Sequence, residues 1–569
     1  MTRVRTKDLA RLFYGLTGLL ALTGTVVGGE AHTIGSNRQL FLGPWAEDGR
    51  DDYLIERMTG VTMTMNEAIP TGEPLLVADR PWETASGERS TDCGLTGSPG
   101  IGLTGRPLVI RDGEVYRMYY TVITTNDIWK ARYSRIICYA ESRDGIHWAK
   151  PELGVCDWKG SRKNNIIFPN DDLQYAFSQA GLSSVFIDPH TTGPSEKYKM
   201  TVKLKPVRGL DPKKNPMLGK AYYLAASPDG IRWRLASARP IPTAHGDRGF
   251  SCFWDRHKKK YVAYSGLKRF TERVRNRVDP KTGTPMDEIT EKIVRRSVSV
   301  MFSDDLAHWT KDNREAFAAD KIDNAGMAPG VERMDYYDGQ AWKYDGVAGA
   351  YTALPNVFYH WKKVRMKIGG KEVDSRWPGT LDTQLLTSRD GLTWSRTPRR
   401  RPFIRLGPEG SFYSKSLWVS GLPIRVNDEL FFYFLGRSVP HDAREGHVPC
   451  KTAYGAARLR LDGFVSADAD YAGGELVTRP LIFTGEELHL NVDTSAGGVV
   501  RVEIQDKDGK PINGFALKNA DEINGNYLDA AVSWRDGDDV SKLAGQPVKL
   551  RFVMRDTKLY TFQFVDRKK

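Results

Sequence analysis

One turn signature, repeated along the chain, limits the fold more than any other feature. It reads Ser142-Arg-Asp144-Gly145-Ile-His-Trp148, then Ser227-Pro-Asp229-Gly230-Ile-Arg-Trp233. It returns as Ser303-Asp-Asp305-Leu306-Ala-His-Trp309 and Ser388-Arg-Asp390-Gly391-Leu-Thr-Trp394, with a worn fifth copy at Leu461-Asp462-Gly463-Phe464-Val465. A signature that recurs about every 80 residues marks a repeat architecture. Asp-Gly makes a tight turn, because Gly takes positive φ freely and Asp bonds its own backbone. The Trp after it starts the returning strand and can plug the gap to the next unit.

Each copy follows a run rich in aromatic and β-branched residues, such as Ile136–Ala140, Ala221–Ala225 and Val298–Phe302. A second hairpin precedes each, as in Leu108–Tyr120 around Asp112-Gly113. Two hairpins per unit give four antiparallel strands. Five such sheets set radially make a five-bladed β-propeller, which shelters its edge strands. A stack of α/β units is the rival, but no long 3.6-residue period separates the copies. The charged insertion Lys268–Arg296 is the exception and is expected to hold a short helix.

After Asp462-Gly463 the strands shorten, and turns come about every ten residues. This pattern predicts a C-terminal β-sandwich. The expected class is therefore all-β, with lead-in strands over 32–90 packed on the propeller, blades over 91–470 and a sandwich over 471–569. The lead-in strands Gln39–Leu42 and Asp51–Glu56 are expected to run against the first blade. Gln505–Gly509 is expected to be a hairpin turn, not a calcium loop.

Residues 1–31 order a basic stretch (Arg3, Arg5, Lys7, Arg11), an apolar run from Leu12 to Val27, and the small residues Gly28, Gly29 and Ala31. That order predicts a signal peptide cut within 28–32, and a secreted or periplasmic protein; an uncleaved anchor is the alternative. The five cysteines are odd in number and lack a CxxC pair, so neither a zinc site nor a disulfide framework is expected. The formal charge is +13. Lys and Arg are scattered rather than gathered in a stripe, which argues against nucleic acid; an anionic ligand or a plain solvated surface would each account for the excess.

The turn signature and the trailing sandwich make the chain resemble the five-bladed glycosidases of glycoside hydrolase families 32 and 43. It resembles more closely a group of secreted bacterial glycosyl-hydrolase-like proteins. The matching pieces are Asp51–Glu56, Asp79-Arg-Pro-Trp-Glu83, Glu141–Trp148 with Lys150-Pro-Glu-Leu-Gly154, Gly407-Pro-Glu-Gly-Ser-Phe412 and Asp506–Phe515. The resemblance implies a glycosidase acting on a poly- or oligosaccharide. In the better-known families the catalytic acids sit on the innermost strands of blades one to three. Here those strands, Ile101–Arg106 and Gly181–Ser184, carry no carboxylate, and Asp188-Pro189 falls at a hairpin tip. The family triad therefore does not carry over.

Glycoside hydrolysis needs a neutral general acid and a charged carboxylate as nucleophile or base. Acids just before the innermost strands are the candidates: Asp247, Asp335 and Glu409. Glu409 is expected to be the acid, part-buried in a Gly-bounded loop. Trp342, Tyr336, Phe412 and Tyr413 are candidate sugar platforms. Arg248, His245, Asp338, Arg437 and His441 are candidate groups for hydroxyls or for anionic or sulfated substituents. The four turn tryptophans recur by symmetry and are expected to be packing residues. No metal or cofactor is called for. The alternatives are a non-catalytic carbohydrate-binding propeller, a sialidase-type enzyme, which would need six blades, and a protein-interaction platform.

Overall fold

The computed structural model describes residues 31–567, apart from 85–91, 94–101, 126–132, 169–176, 192, 207–220, 238, 243–249, 279–284, 311–313, 326, 348, 363–365, 369–370, 376–378, 442 and 445–449. Among these residues the chain is nearly all β, with a single short α-helix at Lys321–Ala325.

The repeats become antiparallel strand groups, the first and second bridged by Gln179↔Arg135, and the strands Val331–Tyr336, Asn356–Trp361 and Gly379–Gln384 bridged to the fifth by Leu381↔Ser416. The first holds Gly102–Asp112, Val115–Thr125 and Tyr133–Ser142, and the second holds Phe177–Ile187, Tyr198–Pro206, Ala221–Ser227 and Arg234–Leu235. The third is built on Phe250–Asp255, Lys260–Val278 and Pro285–Ser303. The fourth pairs Ala341–Lys343, Tyr351–Ala353, Leu386–Ser388 and Ser395–Arg396. The fifth joins Ser416–Val419, Glu429–Arg437 and Cys450–Arg460, and its outer edge is taken by Ile69–Pro70 from the amino-terminal side.

Period-two alternation decides which neighbour each sheet touches. Tyr119 packs with the second sheet, whereas Met118 and Tyr120 pack with Tyr433 and Tyr454 of the fifth. Tyr223 points back to the first sheet, and Tyr222 forward to Phe250 of the third. Further clusters join the third sheet to the fourth through Val298 and Trp342, and Leu385, just ahead of the fourth sheet's Leu386–Ser388, to Leu417 of the fifth. The apolar contacts thus run from each sheet to the next and from the fifth back to the first.

The repeated turns have one construction. In the first copy Ser142 Oγ accepts from Gly145 N–H at 2.9 Å, and Asp144 Oδ1 accepts from Ile146 and His147 N–H, both at 2.8 Å. The second and fourth copies repeat these bonds. Their glycines have φ of +73, +76 and +70°, and in the third copy Leu306 takes +65° in the same place. A tyrosine of the neighbouring sheet sits on each glycine. The Tyr433 hydroxyl donates to Gly145 O at 2.8 Å and that of Tyr264 to Gly391 O at 2.6 Å, and Tyr119 Oη would lie 2.6 Å from a Cβ on Gly230. Gly is required here because the backbone is left-handed and the hydroxyl leaves no room.

The C-terminal region forms two further sheets. Phe483 of one stacks on Phe564 of the other at 3.6 Å. The lead-in strands do not run against the first repeat. Ile55–Thr59 pairs with Gly474–Thr478, Val61–Met65 with Val465–Ala469, and Gln39–Leu40 with Thr557–Val565. Alternating apolar residues in Val61–Met65 supply one face of that apolar interior. The expected helix in Lys268–Arg296 is absent, since the backbone there pairs as an antiparallel hairpin from Lys268↔Arg296 to Val278↔Pro285. Its Thr and Val content fits strand better than helix. Asp506–Lys510 is a hairpin turn, closed by Asp506 N–H to Lys510 O at 2.9 Å.

The cysteines depart from expectation. Cys450 is disulfide-bonded, whereas Cys138, Cys156 and Cys252 are buried free thiols. Cys93 is the strand partner of Cys450. Spacing rules miss such a link because the two positions meet only through strand pairing.

Candidate active site

Strands from distant parts of the chain meet at one buried ion pair. Arg106, at an irregularity in the first sheet's Gly102–Asp112, donates through Nη1 to Asp338 Oδ2 at 2.6 Å and through Nη2 to Ser183 O of the second sheet at 3.4 Å. Asn356, at the start of Asn356–Trp361, donates to Asp338 Oδ1 at 2.6 Å, and its own Oδ1 accepts at 2.9 Å from Val419 N–H, on another strand of the same sheet. A buried carboxylate is tolerated only with such partners. The strand Gly102–Asp112 thus brings a cation to this cluster.

Asp335 lies three residues upstream and is 2% exposed. Its Oδ2 takes Arg296 Nη1 at 2.9 Å and His360 Nε2 at 3.1 Å. Burial acts to raise the Asp335 pKa, but the His360 hydrogen bond and the Arg296 charge outweigh it and hold the carboxyl below its ordinary value. Burial lowers the pKa of His360, against the pull of Asp335. The strand register explains the grouping: Asp335 faces Phe358 and Arg333 faces His360, so alternate residues of Val331–Tyr336 and Asn356–Trp361 share a face. Beside them the Tyr337 hydroxyl and His441 Nε2 are 2.8 Å apart, and Arg296 lies over the Tyr337 ring at 5.5 Å. Trp418 approaches His441 at 6.2 Å.

Of the residues singled out by sequence, Asp335, Asp338 and His441 fall in this hub. Asp247, His245 and Arg248 lie outside the described residues. Glu409 is not part-buried. Its side chain is 60% exposed and bonded to Lys415 at 2.7 Å, because the Gly-bounded loop turns it outward. The aromatic platforms are core residues. Tyr336 is fully buried against Phe317 under Arg396. Trp342 packs on Phe253 and donates to Ser420 O at 3.2 Å. Phe412 and Tyr413 pack on Phe434. Tyr336 and Trp342 are turned inward by their strands, whereas Phe412 and Tyr413 are packed inward from a turn. Arg437 pairs through its backbone with Ser416, and its Nη2 lies 3.9 Å from Cys450 Sγ. Sequence reasoning missed Arg106, Arg296, Asn356, Tyr337 and His360, which share no motif and converge only through strand pairing. Among the described residues no group of His, Cys, Asp and Glu is placed to hold a metal.

Two pieces of the glycosidase-like resemblance also come together. Lys150 Nζ reaches Asp79 Oδ1 at 2.7 Å and Glu83 Oε2 at 2.6 Å, while Glu83, fully buried, accepts from the Tyr120 hydroxyl at 2.6 Å. Every bond in this cluster is internal, so it clamps the 79–83 segment to the first sheet. Asp51, from a third piece, accepts from Leu42, Gly43, Tyr53 and Leu54 N–H and from Arg389. It too is structural.

No family model matches the chain. The chain is similar, at 26% identity over 169 residues, to the uncharacterized protein Rv1502 of Mycobacterium tuberculosis; that stretch is 28% of this chain and spans 45% of the relative's length. Among solved structures it is similar to a glycosyl hydrolase from Bacteroides ovatus (13% identity, 70% of this chain and 94% of that one, TM-score 0.37). It is similar to a β-1,2-mannobiose phosphorylase from Listeria innocua (12%, 70% and 98%, TM-score 0.37). A third is a family 43 arabinoxylan arabinofuranohydrolase from Bacillus subtilis (12%, 82% and 96%, TM-score 0.27). At these scores the functional reading rests on the chain's own residues.

Proposed function

We propose that this chain is an exported glycosidase-like enzyme acting on a poly- or oligosaccharide, with its site at the hub of a five-bladed propeller that carries a C-terminal sandwich. The ring of sheet-to-sheet contacts supports the propeller, and the Phe483–Phe564 interface supports the sandwich. Five copies of the turn signature weigh against a six-bladed sialidase. The Cys450 disulfide supports export, since such bonds persist in oxidising compartments.

The observation that carries the reading is Asp335: a buried carboxylate kept charged by Arg296 and His360, with Tyr337 and His441 beside it. It is suited to be the nucleophile or base of glycoside cleavage. The proton donor is then Asp247, which precedes Phe250–Asp255 in sequence. The basic surroundings, with Arg106 and Arg296 at the hub and a +13 chain, suit a glycan bearing carboxylate or sulfate groups.

One observation favours the non-catalytic alternative: both hub carboxylates already have cationic partners. A screen of the purified protein against neutral, uronate-bearing and sulfated glycans, read by released reducing ends, separates the two. An enzyme releases product from at least one glycan, and D335N lowers that rate by about 100-fold or more while affinity persists. Retention without any product points to a binding protein. Loss of rate in D247N, but not in E409Q, makes Asp247 the proton donor.

A further inference from the structure

We propose that a cavity between the second and third sheets, away from the hub, is a second binding site that takes one neutral sugar ring of a glycan. The cavity has a volume of about 430 Å³, within the range of small-ligand pockets. Trp254 ends Phe250–Asp255, and Asp188 follows Phe177–Ile187. The cavity therefore opens at the C-terminal ends of two innermost strands. Asp335 and Asp338 precede Ala341–Lys343, at the N-terminal end of theirs. The two sites lie at opposite ends of the sheets.

The choice of ligand follows from the cavity's own chemistry and does not need a catalytic hub. Its floor is apolar, made by the buried Leu224, Ile241 and Leu306. Trp254, half-buried, lines one wall and is held by His190 at 3.9 Å and by the edge of Tyr261 at 4.9 Å. A fixed indole beside an apolar floor suits the flat apolar face of a sugar.

Polar groups converge opposite. Lys199 is 5% exposed at its side chain, bonded to Glu196 and 4.0 Å from Asp188. The carboxylates are already balanced. Glu196 has Lys199 and Arg234, Asp304 has Lys260, Asp305 bonds the His308 ring, Asp188 accepts from Tyr261 and His190 N–H, and Arg239 adds a fourth cation to the lining and its partners, against these four carboxylates. A site without surplus charge, rich in fixed donors and acceptors, selects hydroxyls over an anion or a cation.

The test is electrophoresis through gels containing galactomannan, arabinoxylan, mixed-linkage β-glucan or polygalacturonate, using the full chain. We expect retention by at least one neutral polymer. W254A should weaken it about tenfold or more, and D335N should leave it unchanged. Because Trp254 also packs on Tyr261, S237W provides a second variant, which fills the cavity from its lining and gives up only the exposed Arg239 N–H bond to Ser237 Oγ. No retention by any neutral polymer would overturn the proposal, as would wild-type retention in S237W or retention by polygalacturonate alone. Turnover at the hub is read separately, through D335N, so the two readings fail independently.

Discussion

Arg106 and Asp338 stand 232 positions apart in sequence and meet at 2.6 Å, with both side chains more than nine-tenths buried. Ser183 O and Asn356 complete the contact, so one ion pair joins Gly102–Asp112 and Phe177–Ile187 to Asn356–Trp361 and, through Asn356, to Ser416–Val419. Its burial makes it a structural link as well as part of the site's charge.

Removing one partner strands the other. R106A should therefore lower the unfolding free energy by about 3–5 kcal/mol, the usual consequence of leaving a buried charge uncompensated. R106K should recover only part of this, since lysine lacks the fork that reaches Asp338 and Ser183 O together. Urea titration reads the difference. Equal stability of R106A and wild type would show that the pair is not a structural link.

The turn glycines separate backbone strain from sheet-to-sheet contact. Gly113 has φ +62° and open space around a Cβ, whereas Gly230 has φ +76° and Tyr119 Oη at 2.6 Å from a Cβ. G113A should cost about 1–2 kcal/mol for left-handed backbone alone. G230A should cost a further 1–3 kcal/mol, roughly, because the neighbouring sheet must yield. Y119F in the G230A background should restore part of the loss. If the two alanine variants melt together, the tyrosine contact is not tight.

These turns were the legible part of the molecule. Asp-Gly and the flanking strands report backbone geometry, which sequence encodes locally, so the repeat and the mostly β character could be read from it. The side chain at a given register could not. Trp342 and Tyr336 look like platforms in sequence, but alternation and packing put them in the core. Arg106, His360 and Arg296 have no local signal, because each acquires meaning from a partner on another strand. The lead-in strands were misplaced for the same reason: Val61–Met65 is legible as a strand, but its pairing with Val465–Ala469 closes a loop of some 400 residues. The third turn shows the limit of motif reading. Leu306 keeps the left-handed backbone without glycine, its side chain buried between the second and third sheets.

Acid should loosen the hub in two steps. The folded His360 pKa lies below its ordinary 6.5, so as pH falls below 6.5 the unfolded chain takes a proton that the folded chain refuses, and stability declines. The folded Asp335 pKa lies below 3.8, so its contribution is intact above 3.8 and is lost as pH falls further. H360Q keeps a donor near Asp335 but does not titrate. Melting temperatures at pH 7.5, 6.5, 5.5 and 4.5 should fall less steeply from 7.5 to 5.5 in H360Q than in wild type. Parallel curves would mean that His360 does not sense this range.

The Cys450 link should fasten the amino-terminal segment to the fifth sheet. The other three described thiols are free, and Cys93 faces Cys450 across the strand pair, so Cys93 is the expected partner. The bridge would close a loop of more than 350 residues, holding Ile69–Pro70 at the fifth sheet's edge while the first sheet follows directly. Loop-closure entropy for so long a span predicts a loss of about 6 kcal/mol on reduction. Non-reducing peptide mapping should recover a Cys93–Cys450 peptide, and dithiothreitol should lower the melting temperature of wild type but not of C450S. Alkylation of Cys450 in the native, unreduced protein would remove both the bridge and this account of how the ring is latched.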